Sequence, residues 1–535
     1  MPKKVITGFT WSLILLVGLG VWLRLVRLRE LFHFTYDEEI IAFVGKRMWI
    51  NGHIPLIGGV TPQHVHLAPY FYWFSGLILG LGRLSPLIWG VAAAMLAGMV
   101  MLVLYQTGRS LFNKRVGLVA VIFYAFSFYQ NIFDRHYWGL IFAGLVSLSC
   151  LYSLQQILRG RILFAWVLGL ALAFGLHTDP STLIVLIFAI TIFLIYIKKP
   201  QLFGLSESDK HLQIGKSIKI IIGILLISLL PLVVFDLKHN FSNIRGFGQY
   251  IQELKMGKQG VIRTTPLSSV LFLPQTLART MYVFGDQDLA KQYAYCPQYA
   301  QGRLEAVPSA VIFGVLALFI YLIYEYQTKS KDKSSLGLVL ALFFATYVGI
   351  ILYGVAARGD LFDHYLAALF PIFYISLAYL VVQLSRKSKW ISVSIVTVFI
   401  VFNLPKVGSM YHTYGYQDKE SAVKWAIAQT GSADFALDVI GSCFRFNGYR
   451  YLFYLYGKEP VKSYVDANFT HLYDQPPAQT HPKLLVVLTN PDFVETRAYL
   501  EEYEIYRQKL IRSQKFGKIE VMLIDNSDLT FVGKF

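Results

Sequence analysis

Three carboxylates stand side by side in Phe34-Thr-Tyr-Asp-Glu-Glu-Ile-Ile-Ala, just past the first long apolar run. An acid so close to hydrocarbon costs free energy unless it is hydrated, paired or used. A carboxylate within hydrogen-bond reach of a hydroxyl or amine can take its proton as that group attacks an electrophilic carbon. Apolar walls and acidic neighbours raise the pKa of such a carboxylate toward a useful range. Asp37 is therefore the candidate general base and Glu38 its candidate helper. Glu39 is expected on the helix surface. The simpler alternative for Asp37 is an N-cap on the helix that follows, a position Asp favours.

The other reactive side chains share one placement, at the end of an apolar run or just beyond it. They are Tyr36 beside the acids, His64 and His66, Asp134-Arg135-His136, His177-Thr178-Asp179, Lys238 and His239 after Asp236, Arg245, and Arg358 through His364 and Tyr365. Gathered on one face, they would line a cavity at the membrane–water boundary, which suits a substrate with a lipid tail and a polar head. An anionic head, such as a phosphate, would need cations. Arg135, Lys238, His239, Arg245 and Arg358 are the candidates, with arginine adding bidentate geometry. His364 and Tyr365 either contact the same phosphate or anchor a helix at the interface. Tyr36, His64 and His66 are candidate substrate contacts. Two histidines at spacing two fall short of a metal site, so no metal ligand is assigned; a divalent ion between Asp37 and Asp134 is the one cofactor expectation left open. The simpler reading of Asp134-Arg135 is an ion pair across a tight turn, and His177-Thr178-Asp179, ahead of Pro180, reads as a structured turn.

The elements that must hold these residues are membrane spans. Of 535 residues, 55% are hydrophobic, 16% aromatic and only 15% charged, with mean hydropathy +0.50. Soluble proteins carry roughly a quarter charged residues. Eleven runs approach the roughly 20 residues a span requires: 8–27, 86–106, 116–132, 139–158, 162–177, 181–197, 217–235, 308–325, 336–354, 363–382 and 390–404. The net charge of +17 does not imply nucleic acid, because the basic residues cluster between spans. Lys3, Lys4, Arg109, Lys114, Arg115, Arg159, Arg161, Lys198, Lys199, Lys210, Lys216, Lys329, Lys331, Lys333, Arg386, Lys387 and Lys389 all fall on one side. The positive-inside rule makes that side cytoplasmic and the N-terminus with it. Arg24, Arg27 and Arg29 run against the rule. Cys150, Cys296 and Cys443 form no disulfide framework, although Cys296 and Cys443 share the outer side. The first apolar run has no small-residue cleavage site and reads as an uncleaved span.

This topology requires that 66–82 not cross. Its aromatics and Pro69 favour the interface, so 31–85 reads as an external loop with two interfacial helices. The first is 38–49, with Ile41, Val44 and Met48 on one face. A second external loop spans 236–307. From about 405 the chain turns polar, with a helical pattern at 420–429 and β-like runs at 435–440, 484–488 and 519–524, which predicts a small extracytoplasmic α/β domain. The fold class is thus a polytopic α-helical membrane protein, with domain 1–404 followed by 405–535. No internal repeat and almost no mid-span charge are present, which disfavours the alternative of a transporter or lipid-sugar flippase. The lack of a Gly-rich phosphate loop disfavours a nucleotide-bound substrate.

An acidic pair after the first span, an interfacial aromatic-Pro helix, Asp134-Arg135 after the third span and His364-Tyr365 ahead of Pro371 together resemble the GT-C glycosyltransferases. The nearest likeness is the family-39-like group of protein O-mannosyltransferases and lipid A aminoarabinose transferases, and it covers about 8–404. The resemblance implies a polyprenyl-phosphate sugar donor, an acceptor on the extracytoplasmic side, a surrounding cell-membrane bilayer and inversion at the anomeric carbon. Asp37-Glu38 matches the family's acidic pair, and Asp134 the acid of the second external loop. His66 and Pro69 fall where relatives carry a His-Pro or Lys-Pro segment. The chain departs from the pattern at Ser85-Pro-Leu-Ile-Trp-Gly, where many relatives open the second span with Arg, and at Leu67-Ala68-Pro69, where the double proline is reduced.

Overall fold

The structure is a computed structural model that describes residues 8–61, 63–198, 210–256, 266–283, 285, 287–289, 307–328, 332–356, 361–441, 448–474, 481–490 and 497–528. Each of the eleven predicted runs contains a helix. In chain order the first four helices are α1 (Gly8–Leu25), α2 (Leu28–Leu31), α3 (Tyr36–Ile50) and α4 (Tyr70–Leu81). The bundle continues with α5 (Leu87–Leu111), α6 (Lys114–Phe126), α7 (Phe128–Phe133), α8 (Ala143–Leu158), α9 (Phe164–Thr178), α10 (Leu183–Lys198) and α11 (Lys210–Lys238). Two helices unforeseen in the sequence, α12 (Ser242–Lys255) and α13 (Pro266–Met281), follow, and then α14 (Ser309–Gln327), α15 (Lys333–Ile351), α16 (Phe370–Leu384) and α17 (Lys389–Gly408). Among the described residues, seven helices are long and apolar enough to cross a membrane by themselves.

The third predicted span is divided. Ser127 takes an extended ψ of 125° and its hydroxyl accepts the Gln130 N–H, ending α6 and starting α7. A broken helix in hydrocarbon must satisfy its freed backbone groups internally. Asn131 Nδ2 donates to Ala125 O and Ser127 O, and Asn403 of α17 accepts the Phe128 N–H at 3.0 Å. The tenth run likewise opens as a short 3-10 turn, Asp363–Leu366, before α16.

Helix α4 has 12 residues and rises about 18 Å at 1.5 Å per residue, well short of the ~30 Å hydrocarbon thickness. It packs along α3 instead. Gly45 and Gly76 permit the close crossing: a Cβ on Gly45 would come within 3.2 Å of Gly76 Cα. Trp49 Nε1 donates across the contact to Gly76 O at 2.7 Å.

The C-terminal part is a mixed five-stranded sheet of order β2-β1-β3-β5-β4. Its strands are β1 (Phe435–Ile440), β2 (Lys462–Ser463), β3 (Leu484–Thr489), β4 (Leu510–Phe516) and β5 (Ile519–Asp525). β1 runs parallel to β2 and β3, while β5 is antiparallel to β3 and β4. Helices α18 (Tyr416–Thr430), α19 (Tyr449–Leu455), α20 (Asp466–Phe469) and α21 (Arg497–Gln508) accompany the sheet. β1 is buried along its whole length, as a strand covered on both faces must be. One apolar cluster joins Phe32, Phe34, Phe43 and Trp89 to Tyr416, Val423, Phe435, Tyr451 and Phe469. The sheet domain therefore shares a core with α3 and α4.

Candidate active site

Helix α3 begins at Tyr36, and its cap is not Asp37. Glu38 Oε2 accepts the Thr35 N–H at 3.1 Å and the Thr35 hydroxyl at 2.9 Å, the reach-back half of a capping box. Glu38 Oε1 lies 2.7 Å from His136 Nε2, and both side chains are buried. Asp37, one position earlier, is only half-buried. Its charge bears on two phenols: burial first and Asp37 second push Tyr36 and Tyr72 above the ordinary tyrosine range. The three acids therefore have three different surroundings. Glu39 departs from expectation. It is fully buried, and its Oε1 accepts the Tyr451 N–H at 2.7 Å. The apolar spacing of α3 shows which residues share a face, but the sheet domain that covers the Glu39 face comes from the far end of the chain.

From His136 a row of rings runs along this layer. His136 stacks on Trp138 with centroids 4.3 Å apart, and Trp138 meets the edge of His364 at 4.8 Å. His364 also stacks on Phe362 and borders Tyr365. Tyr36 packs against Phe469 of α20 at 5.0 Å. Tyr36, Asp37, Glu38, His136, Trp138, His364 and Tyr365 thus belong to one contiguous layer drawn from three loops and the sheet domain.

Asp134 and Arg135 hold the fold from beneath this layer. Asp134 Oδ2 accepts from Arg24 Nε at 2.7 Å; Oδ1 accepts the Tyr124 hydroxyl at 3.0 Å and Gln130 Nε2 at 2.8 Å. The local pair with Arg135, the simpler reading of these two residues, gives way to this one across 110 residues. Arg135 Nη2 instead donates to Leu23 O and Val26 O, closing the end of α1. The basic cluster that ran against the charge rule is explained at the same time. Arg24 pairs with Asp134, Arg27 with Glu30, and Arg29 with Glu420 of the sheet domain. Arg24 beside hydrocarbon was the signal in the sequence that an acid had to meet it.

His64, His66, Lys238, His239 and Arg245 form a second group at the edge of the first. A bridge between Val60 and His66 makes a tight loop. The loop sits on α12, where His64 Nε2 lies 3.2 Å from Glu253 and the His66 N–H donates to Asn243 Oδ1 at 2.7 Å. Its other side covers Tyr72, since a Cβ on Gly59 would stand 2.9 Å from the Tyr72 hydroxyl. Lys238, His239 and Arg245 are exposed at the α11–α12 corner. Arg358, Cys296 and Cys443 lie outside the described residues. Arg279 and Asp363, which sequence reasoning left out of the site, form a buried ion pair between α13 and the turn bearing His364, with the Tyr129 hydroxyl donating to Asp363.

The donor set does not fit a divalent ion shared by Asp37 and Asp134. Both Asp134 oxygens already accept strong donors, and the described residues contain no group of three or more histidine, cysteine or acidic side chains placed to hold a metal.

Residues 63–227 match the family model described as dolichyl-phosphate-mannose-protein mannosyltransferase. No curated protein matches the chain. Among solved structures, the archaeal oligosaccharyltransferase AglB from Archaeoglobus fulgidus, in complex with an inhibitory peptide and a dolichol-phosphate, superposes with a TM-score of 0.51 at 12% identity over 90% of this chain and 69% of that one. ArnT from Cupriavidus metallidurans, bound to undecaprenyl phosphate, gives 0.49 at 12% identity over 97% of this chain and 98% of that one. The mycobacterial arabinofuranosyltransferase AftD gives 0.41 at 11% identity over 97% and 40%. With its bundle, its short helices between α1 and α5 and its C-terminal sheet domain, the chain is a multi-span membrane protein of the GT-C glycosyltransferase fold.

Proposed function

We propose that the protein moves a sugar from a polyprenyl-phosphate carrier to an acceptor on the face that carries the sheet domain, with Asp37 as general base. The observation that carries this reading is the division of labour in α3. Glu38, at the cap, and Glu39, at the domain contact, are both fully buried, whereas Asp37 is the half-exposed acid of the three, near Tyr36 and Tyr72. An acceptor hydroxyl or amine hydrogen-bonded to Asp37 gives up its proton as its oxygen or nitrogen bonds to the anomeric carbon. The bond from that carbon to the phosphate oxygen breaks, and the lipid phosphate leaves with the electron pair. A single displacement inverts the anomeric configuration and needs no carboxylate nucleophile.

The leaving phosphate requires positive charge. His364 and Tyr365 border the ring row, while Lys238, His239 and Arg245 stand exposed at the α11–α12 corner where a lipid headgroup would approach. Asp134 is assigned to holding α1 against α6 and α7, because both of its oxygens already serve that contact, and Arg135 Nη2 closes the end of α1 beside it. The dolichol-phosphate bound by AglB supports a lipid-phosphate donor here. The clustering of basic residues at the opposite helix ends supports a cytoplasmic N-terminus and an extracytoplasmic sheet domain.

The test supplies membranes containing Asp37→Asn with tritiated polyprenyl-phosphate sugars. Asparagine keeps the shape and removes the base, so transfer should fall by about 100-fold or more. Full transfer by the variant would sink the assignment. Labelling of single cysteines in the basic loops from either side of sealed vesicles tests the orientation.

A further inference from the structure

Segment 32–39 is gripped by the sheet domain along its whole length. The Tyr416 N–H donates to Phe32 O at 3.1 Å. Lys419 Nζ donates to Phe34 O. His33 Nδ1 and His412 Nε2 lie 2.9 Å apart. The Tyr451 N–H donates to Glu39 Oε1 at 2.7 Å. Gly448, at φ +71°, lies flat on Phe34: a Cβ there would come within 2.7 Å of the ring and 3.0 Å of Phe34 O.

One of these contacts is made by a side chain of α3 itself. Successive residues of a helix are about 100° apart around its axis. Glu39 and Asp37 therefore point in nearly opposite directions, about 200° apart, with Glu38 between them. Glu38 is held against His136 on one side of the turn, and Glu39 against the Tyr451 N–H on another. Two anchored side chains set the rotation of the helix about its axis, and that rotation sets where Asp37 points. The anchor at Glu39 is a costly one. The carboxyl is fully buried, and its Oε2 has no hydrogen-bond partner among the described residues. Lys419 from α18, Arg450 from α19, Tyr464 and Tyr473 are the charged and titratable groups that face it from the domain. A buried acid satisfied on one oxygen is destabilising relative to an apolar residue at the same place, so packing alone gives no reason for it.

We infer that Glu39 is a positioning residue, through which the sheet domain fixes the rotation of α3 and so aims Asp37 at the acceptor. The inference rests on the transferase reading for its kinetic consequence, but not for its structural one. Glutamine keeps an oxygen for the Tyr451 N–H, whereas alanine does not. The experiment uses the full chain in nanodiscs with tritiated polyprenyl-phosphate sugars, and amide hydrogen exchange of the same samples. For Glu39→Ala, kcat should fall about 10- to 100-fold, the scale of a misplaced catalytic group. The KM for donor should stay within about twofold, and exchange should quicken in 34–41 but not in α5, as for a locally loosened segment. Glu39→Gln should recover kcat to within about threefold of the wild type, because the hydrogen bond is kept. Should Glu39→Ala fail to fold, Lys419→Met, which removes the donor to Phe34 O, is expected to show the same kcat loss and exchange pattern. Equal loss in Glu39→Gln and Glu39→Ala would overturn the inference, as would unchanged kcat per folded molecule in the alanine variant. If the wild type transfers no sugar, the transferase reading fails and exchange alone decides: faster exchange confined to 34–41 upholds the positioning role, and unchanged exchange overturns it.

Discussion

Replacing Asp134 by asparagine separates a structural acid from a catalytic one. Arg24 and Asp134 are almost fully buried, with Arg24 Nε and Asp134 Oδ2 2.7 Å apart. Without the carboxylate, Arg24 keeps hydrogen bonds to Gly20 O, Tyr124 O and Ala125 O, at 2.9, 3.3 and 3.4 Å, but not its counter-charge. An asparagine oxygen can serve some of the three donors that now converge on the carboxylate, while its NH2 must face the rest. Removing one partner of a buried ion pair costs about 3–5 kcal/mol, because a charge is left uncompensated. At the roughly 2 °C per kcal/mol seen for larger domains, Asp134→Asn should melt about 6–10 °C below the wild type in nanodiscs. The double replacement Arg24→Met with Asp134→Leu removes both charges and should recover most of that loss, since apolar substitution of a buried pair is often close to neutral. Transfer per folded molecule should survive in the double variant. The reasoning is refuted if Asp134→Asn melts with the wild type yet loses transfer, because Asp134 would then act on the substrate and not on Arg24.

Stability should depend on pH through Glu39 and Lys419 with opposite signs. Burial raises the Glu39 carboxyl to about 7 from its ordinary value near 4.5, so its stabilising contribution, complete below that lower value, is lost as pH rises through about 7. Burial lowers the Lys419 amine to about 7 from 10.5, so its contribution is present above 10.5 and is lost as pH falls through about 7. Melting curves should accordingly show Glu39→Gln gaining on the wild type at alkaline pH and Lys419→Met gaining at acidic pH; parallel curves would contradict the burial of both groups. Gly45→Ala places a methyl 2.8 Å from Leu79 Cδ2 and 3.2 Å from the Gly76 backbone, so α3 and α4 must part, at a cost of about 1–3 kcal/mol. Reduced melting temperature together with reduced transfer is expected, and an unaffected variant would show that the crossing is loose. Charge reversal of Lys238 and Arg245 should raise the donor KM more than it lowers kcat, and increasingly so at low ionic strength; a salt-independent effect would remove them from the headgroup path.

Much of the architecture was legible because lipid leaves a long apolar run few options. Each of the eleven runs holds a helix, and 66–82 contains a helix too short to cross. The interior strands of the sheet were legible for a related reason: β1, β3 and β5 are apolar runs with little polar content. β4, with Arg512, Ser513, Gln514 and Lys515, is an exposed edge strand, and its pattern carries no apolar period. Helices α12 and α13 were missed inside a loop because neither has the unbroken apolar length of a span. The break at Ser127 was invisible because the groups that make it tolerable include Asn403, far along the chain. Within the acidic run, periodicity separates the faces of α3 but does not say what covers each face.

The sequence by itself determined that this is a bundle of membrane helices with its reactive side chains at the helix ends, because each apolar run and each basic cluster is a local property of the chain. Only the tertiary structure decided what the individual charges do. Asp134 turned out to be matched to Arg24, Glu38 to Thr35 and His136, and Glu39 to the sheet domain. A charge's role is fixed by its partner, and here the partners lie as much as 412 residues away. Asp37 stands out from its neighbours by its exposure, which the sheet domain and the His136 loop deny to Glu38 and Glu39.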